Sequence, residues 1–153
     1  MDYKIITLPN TSKDISGMSA SLHNDLELRY GKGSIEEFIE ENNKMLFFLA
    51  ASDGKGNTTA CGALRHVNEF TAEIKRMYVK DEYRGRGLSK MILKELEERA
   101  LNMGYRRIIL ETGLKQPEAM NLYEKFGYTK IEPYGQHKDD PDSVCYEKIL
   151  IPG

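Results

Sequence analysis

The sequence predicts an α/β domain, a mixed β-sheet flanked by helices with its elements in the order βααβββαβαββ. Three observations carry that prediction. Short β-rich runs alternate with longer segments whose apolar residues recur at helical spacing. The 153 residues suit one core, and no repeat, low-complexity tract or linker divides them, so residues 1–153 read as a single domain. A glycine-rich junction, Arg84-Gly85-Arg86-Gly87, joins the end of a strand directly to a long amphipathic helix.

Taken in order, residues 3–8 alternate as a first strand and Pro9 closes it. Ile15, Met18, Leu22 and Leu26 then recur at helical spacing, which predicts a helix over 12–30 with Gly31 as its stop. Ser34-Ile35-Glu36-Glu37 reads as a capping box that starts a short second helix towards Asn42. Residues 45–52 form an apolar run suited to a buried strand, and the DGKGN of 53–57 suits a hairpin turn. Residues 58–67 and 71–80 are the next two strands. Leu88, Ile92, Leu96, Ala100 and Met103 line one face of a long helix that Gly104 ends. A β-rich run follows at 107–112. Pro117 stands where a helix would begin and Gly127 where it would stop. Residues 128–132 and 143–149 are the last two strands.

Composition narrows the function. Hydrophobic residues make up 40% and charged residues 30%, an ordinary balance for a soluble globular chain. The net charge is −2, whereas nucleic-acid-binding domains are usually basic, so any attraction for anions must be local. The longest apolar run, MLFFLAA at 45–51, is too short to span a bilayer, and MDYKIITLPN has no signal-peptide pattern. Neither nucleic acid nor a membrane is therefore an expected partner; the expected compartment is the cytoplasm, and the expected state a monomer or homodimer. Cys61 and Cys145, far apart and without metal-ligand spacing, read as buried thiols. His23, His66 and His137 are equally scattered, so no metal is expected.

The junction at 84–87 has a specific chemistry. Its glycines put backbone N–H groups at the start of a helix, where unpaired amides and the positive end of the dipole favour a phosphate. Glycine lets the anion reach the backbone, and Arg84 and Arg86 offer charge-assisted contacts. A dinucleotide fingerprint fails here because Lys90 occupies its third glycine position, and a P-loop is absent.

Arg84-x-x-Gly87-x-Ser89, between a strand and a long helix, resembles the Arg/Gln-x-x-Gly-x-Gly/Ala signature of the GNAT acyltransferases, with Ser in place of the final small residue. AMNLYEKFGY, Ala119 to Tyr128, resembles the same family's Ala-x-x-x-Tyr-x-x-x-Gly-Phe/Tyr segment. The element order matches too. The resemblance implies a GNAT-like fold and an N-acetyltransferase that uses acetyl-coenzyme A as cosubstrate. It implies that backbone amides from Gly85 and Gly87 through Leu88, Ser89 and Lys90 hold the pyrophosphate. It further implies that the strand backbone at Met77, Tyr78 and Val79 pairs with the pantetheine arm, with Gln116 and Ala119 beside it.

Acyl transfer to an amine needs a base, a held oxyanion and a protonated leaving thiolate. Glu73, eleven positions before Arg84, has the spacing of the family's strand glutamate and is the base candidate, directly or through water. Tyr123 is the acid candidate, since a phenol near pKa 10 keeps its proton at neutral pH. No nucleophile motif suggests a covalent intermediate, so direct transfer in a ternary complex is expected. The acceptor is expected to be a small-molecule primary amine, with amino acids among the candidates. Arg65, Tyr134, Gln136 and His137 would meet its carboxylate if they converge. A polyamine would instead use the acidic run Asp139-Asp140-Pro141-Asp142. A non-catalytic acyl-coenzyme A sensor and a protein or peptide acceptor are the alternatives.

Overall fold

Alternating apolar strands and amphipathic helices resolve, among the described residues, into seven strands and four helices in the predicted order. A computed structural model describes residues 2–30 and 34–151; the expected helix stop at Gly31 lies outside them. The first half holds β1 (Lys4–Leu8), α1 (Lys13–Tyr30), α2 (Ile35–Glu40), β2 (Phe47–Ser52), β3 (Thr58–His66) and β4 (Thr71–Val79). The second holds α3 (Leu88–Asn102), β5 (Arg107–Gly113), α4 (Pro117–Lys125), β6 (Thr129–Ile131) and β7 (Ser143–Ile149).

The helix expected to run towards Asn42 stops at Glu40 and tightens into a 3-10 turn over Glu41–Lys44. Such tightening satisfies carbonyls that a helix end leaves open. Only half of the expected capping box forms. Ser34 Oγ accepts from the Glu37 N–H at 3.4 Å, but the carboxylate that meets the hydroxyl is that of Glu36, at 2.9 Å. Two further 3-10 turns, Asp81–Tyr83 and Gly135–His137, fall in stretches that carry no sequence periodicity.

The sheet order is β1-β2-β3-β4-β5-β7-β6. β1 to β4 pair antiparallel, α3 carries the chain across to a parallel β5, and β7 inserts between β5 and β6. Strand alternation then feeds two cores. Leu49, Ala60 and Leu64 point to the face covered by α3, where Leu88, Ile92 and Leu96 are fully buried. Phe48, Cys61 and Ala63 point to the other face and pack on Ile15 and Met18 of α1. Cys61 and Cys145 are free and buried, as expected. Burial pushes the Cys61 thiol up to about 12, which keeps it inert.

One register break positions the site. The β3–β4 pairing shifts between Cys61 and Ala63, a bulge at which Arg76 takes a left-handed φ of 63°. Gly62 sits at that break, under α3. A Cβ there would lie 2.6 Å from Met77 Sδ and 2.7 Å from Ile92 Cγ2. Gly62→Ala should therefore overpack the α3–sheet contact and destabilise the fold by about 1–3 kcal/mol, read as a lower Tm; an unchanged Tm would show that α3 has room to move.

Candidate active site

The bulge bends β4 away from its parallel neighbour. β4 pairs with β5 only through Thr71, Ala72 and Glu73, while β5 continues to Gly113 against β7 alone. Beyond Glu73 the two strands part, and the opening is a cleft of about 920 Å³. Met77, Tyr78 and Val79 line it with an edge that no strand covers, the place an extended ligand can add main-chain hydrogen bonds.

At one end of the cleft stands the N-terminus of α3. Gly85 and Gly87 hold φ of 79° and 76°, values that L side chains rarely adopt, and a Cβ on either would enter open space. Gly87 is the N-cap, and no side chain caps the helix; Ser89 lies inside the first turn. Because the bond from Met91 N–H to Gly87 O at 3.2 Å opens the helix, the N–H groups of Leu88, Ser89 and Lys90 have no intrahelical acceptor. The Arg84 guanidinium lines the cleft but is subscribed. It donates to Val79 O at 3.1 Å and meets Asp81 at 3.0 Å and Asp25 of α1 at 3.4 Å. Arg86 does not line the cleft. It donates to the Tyr3 hydroxyl at 2.8 Å and to Glu82 O at 3.3 Å, so its guanidinium is engaged by the residue before β1 and by the loop.

Along the opposite wall, α4 presents Ala119 and Tyr123, with Gln116 at its N-cap accepting from the Thr112 hydroxyl at 3.3 Å. Tyr123 is 6% exposed and packs edgewise on Tyr128, with centroids 5.7 Å apart. Burial first, and the charge of Glu111 second, push its phenol well above the usual tyrosine range. It keeps its proton through neutral pH, the state a donor needs.

Glu73 closes the far end, 4% exposed. Arg65, its cross-strand partner on β3, donates to Oε1 at 3.1 Å, and the Tyr134 hydroxyl donates to Oε2 at 2.7 Å. Each oxygen keeps a further lone pair. The anticipated partners Arg65, Tyr134, Gln136 and His137 thus do converge, but on Glu73 and a chamber beside it. Glu111, on β5, was not anticipated. It accepts from Ser143 Oγ at 2.8 Å and lies 3.8 Å from His137 Nδ1; burial pushes its carboxyl above the ordinary range against the pull of His137 and Ser143. A lone charge in the apolar run Ile108-Ile109-Leu110-Glu111 was its only sequence signal. Among the described residues, no group of three His, Cys, Asp or Glu side chains could hold a metal, and no helix is long and apolar enough to cross a membrane.

Residues 14–128 match the acetyltransferase (GNAT) family. The chain belongs to that family. As a member it is an acyl-coenzyme A-dependent N-acetyltransferase. It is 37% identical over 105 residues to the uncharacterized N-acetyltransferase YsnE of Bacillus subtilis, covering 67% of this chain and 69% of that protein. It is 34% identical over 96 residues to the IAA acetyltransferase of Azospirillum brasilense, covering 62% of this chain and 63% of the other. The fold superposes on the PaiA N-acetyltransferase of Thermoplasma acidophilum, solved in complex with coenzyme A, at a TM-score of 0.75 and 20% identity, covering 97% of this chain and 99% of that one.

The helix N-terminus generates a direct test. Gly87→Glu would set a carboxylate, in a disfavoured left-handed conformation, where a pyrophosphate must approach. Acetyl-coenzyme A should raise the Tm of the parent and bind by calorimetry, and the folded variant should lose both; unchanged affinity would remove the anion site from this loop.

Proposed function

We propose that the protein transfers an acetyl group from acetyl-coenzyme A to the primary amine of a small molecule, directly within a ternary complex, in the cytoplasm. One observation carries the proposal: Glu73 and Tyr123 line the same cleft, which runs along the open edge of β4 to the α3 N-terminus. A base, an oxyanion-holding backbone, a proton donor and a phosphate cradle then share one continuous space.

The chemistry follows from their order. The acceptor arrives as an ammonium and loses one proton to a Glu73 oxygen or to a water held there. The neutral nitrogen attacks the thioester carbon, forming the N–C bond while the carbonyl electrons move onto oxygen. An N–H of the open β4 edge, at Met77 or Val79, would hold that oxyanion; the Val79 carbonyl is already engaged by Arg84. Collapse breaks the C–S bond, sulfur leaves with the electron pair, and the nitrogen's second proton balances the free thiol. Tyr123 serves this last stage as a hydrogen-bond donor. Its raised pKa makes complete proton transfer to a thiolate uphill, since an ordinary thiol titrates near 8.5. Stabilisation of the thiolate, with the proton following from nitrogen, is the step it suits.

Tyr123→Phe should keep acetyl-coenzyme A binding but lower kcat by roughly 10- to 10⁴-fold in a free-thiol assay against an amine panel. Glu73→Gln should lower kcat by roughly 10²- to 10⁴-fold, again without loss of cosubstrate binding by calorimetry. Near-parental kcat in Glu73→Gln would assign the base to Glu111 or solvent. A parent protein that binds acetyl-coenzyme A but releases no thiol with any amine would be a sensor.

A further inference from the structure

Behind Glu73 lies a second, smaller chamber of about 260 Å³, many times the space one water needs. It adjoins the main cleft, since Glu41, Glu73, Lys75, Gln136 and His137 wall both. The charges in it are uneven. Glu73 is matched by Arg65 at 3.1 Å, and Glu41 by the buried Arg76 at 3.5 Å. Lys44 and Lys75 also line the chamber; among the described residues neither side chain makes a short ion pair or hydrogen bond, and the Lys75 charge acts at longer range on Glu111. Two lysines thus line a half-open space whose two carboxylates each have an arginine partner. The main cleft adds Glu111 on this side, with Lys75 shared between the two spaces.

We propose that this chamber is the carboxylate subsite of the acceptor, read by Lys44 and Lys75, and that the acceptor is an α-amino acid or a similarly short amino carboxylate. The subsite rests on the acetyl-transfer function proposed above. Glu73 bounds both spaces, so an amine at its oxygens lies beside the chamber, which favours a short separation between amine and carboxylate. Arg65, the guanidinium that the sequence singles out for this role, is held by Glu73 through Nη1 and positions the base instead. Gln136 and His137 at the shared wall can hydrogen-bond a carboxylate but bring no fixed charge. A polyamine lacks the anion that Lys44 and Lys75 would need, and its second ammonium would meet them with like charge.

The test compares amino acids with their decarboxylated amines, using tyrosine and tyramine, histidine and histamine, and lysine and cadaverine, by thiol release from acetyl-coenzyme A. At least one amino acid should exceed its amine by tenfold or more in kcat/KM. In Lys44→Met/Lys75→Met that ratio should fall by tenfold or more, through KM of the amino acid. Both side chains are at least partly exposed, and a Tm scan checks the fold. Preference for the amine in every pair, or an amino-acid preference that survives in the double variant, overturns the subsite while acetyl transfer stands. No thiol release from any compound overturns both.

Discussion

β4 cannot follow β5, and the site exists because of it. The strand runs parallel to its neighbour for three residues and then turns off at a bulge whose central residue, Arg76, holds a left-handed φ of 63°. For a long side chain that conformation costs of order 1–3 kcal/mol. It persists because the guanidinium is caught. Its carbon lies 3.6 Å over the Phe38 ring, its Nε donates to Asn42 Oδ1 at 3.0 Å and an Nη donates to Phe38 O at 2.9 Å. Asn42 in turn donates to Ser19 of α1 at 2.9 Å. The kink that opens the cleft is therefore the same feature that docks α1 and α2 over its rim, and the open β4 edge and the helices beside it are set by one side chain.

Packing on the other face completes the arrangement. The missing side chain at Gly62 lets α3 come close to the sheet where the register breaks, and Ile92 and Leu96 fill the gap. A helix seated there must start at the mouth of the opening, so its unsatisfied amides face the cleft rather than bulk solvent. The positive potential at that end is backbone-made. It needs few free cationic side chains, which suits Arg84 being tied to Asp25 and Asp81 and Arg86 to Tyr3. Surface ion pairs of this kind add little stability, and their effect here is to orient the loop.

The network around Glu73 has a similar logic. A carboxylate buried at a strand junction would be costly alone, and Arg65 and Tyr134 satisfy one oxygen each. Tyr134 reaches it from the stretch before β7, which links the Glu73 end of the cleft to the C-terminal strands. Burial and the adjacent Glu73 charge hold that phenol far above its ordinary range, so it stays a donor to the carboxylate.

Much of this was legible in the chain itself. Periodicity fixed the eleven elements and their order, because apolar spacing reports which face of each segment must be buried. Gly85 and Gly87 announced the tight turn into α3, because few other residues accept the backbone they need, and the Tyr123 segment announced the helix of the opposite wall. The rest depended on which segments meet. Nothing local tells that β7 inserts between β5 and β6, that Arg65 lies across from Glu73, or that Arg86 turns to Tyr3. The same holds for Glu111, for the positive φ at Arg76 and for the chamber beside Glu73. Propensity and spacing are properties of one segment, whereas strand insertion, register and charge pairing are settled between segments distant in sequence. The sequence alone determined the elements and the glycine turn into α3; only the tertiary structure decided which charges pair with one another and which line the cleft.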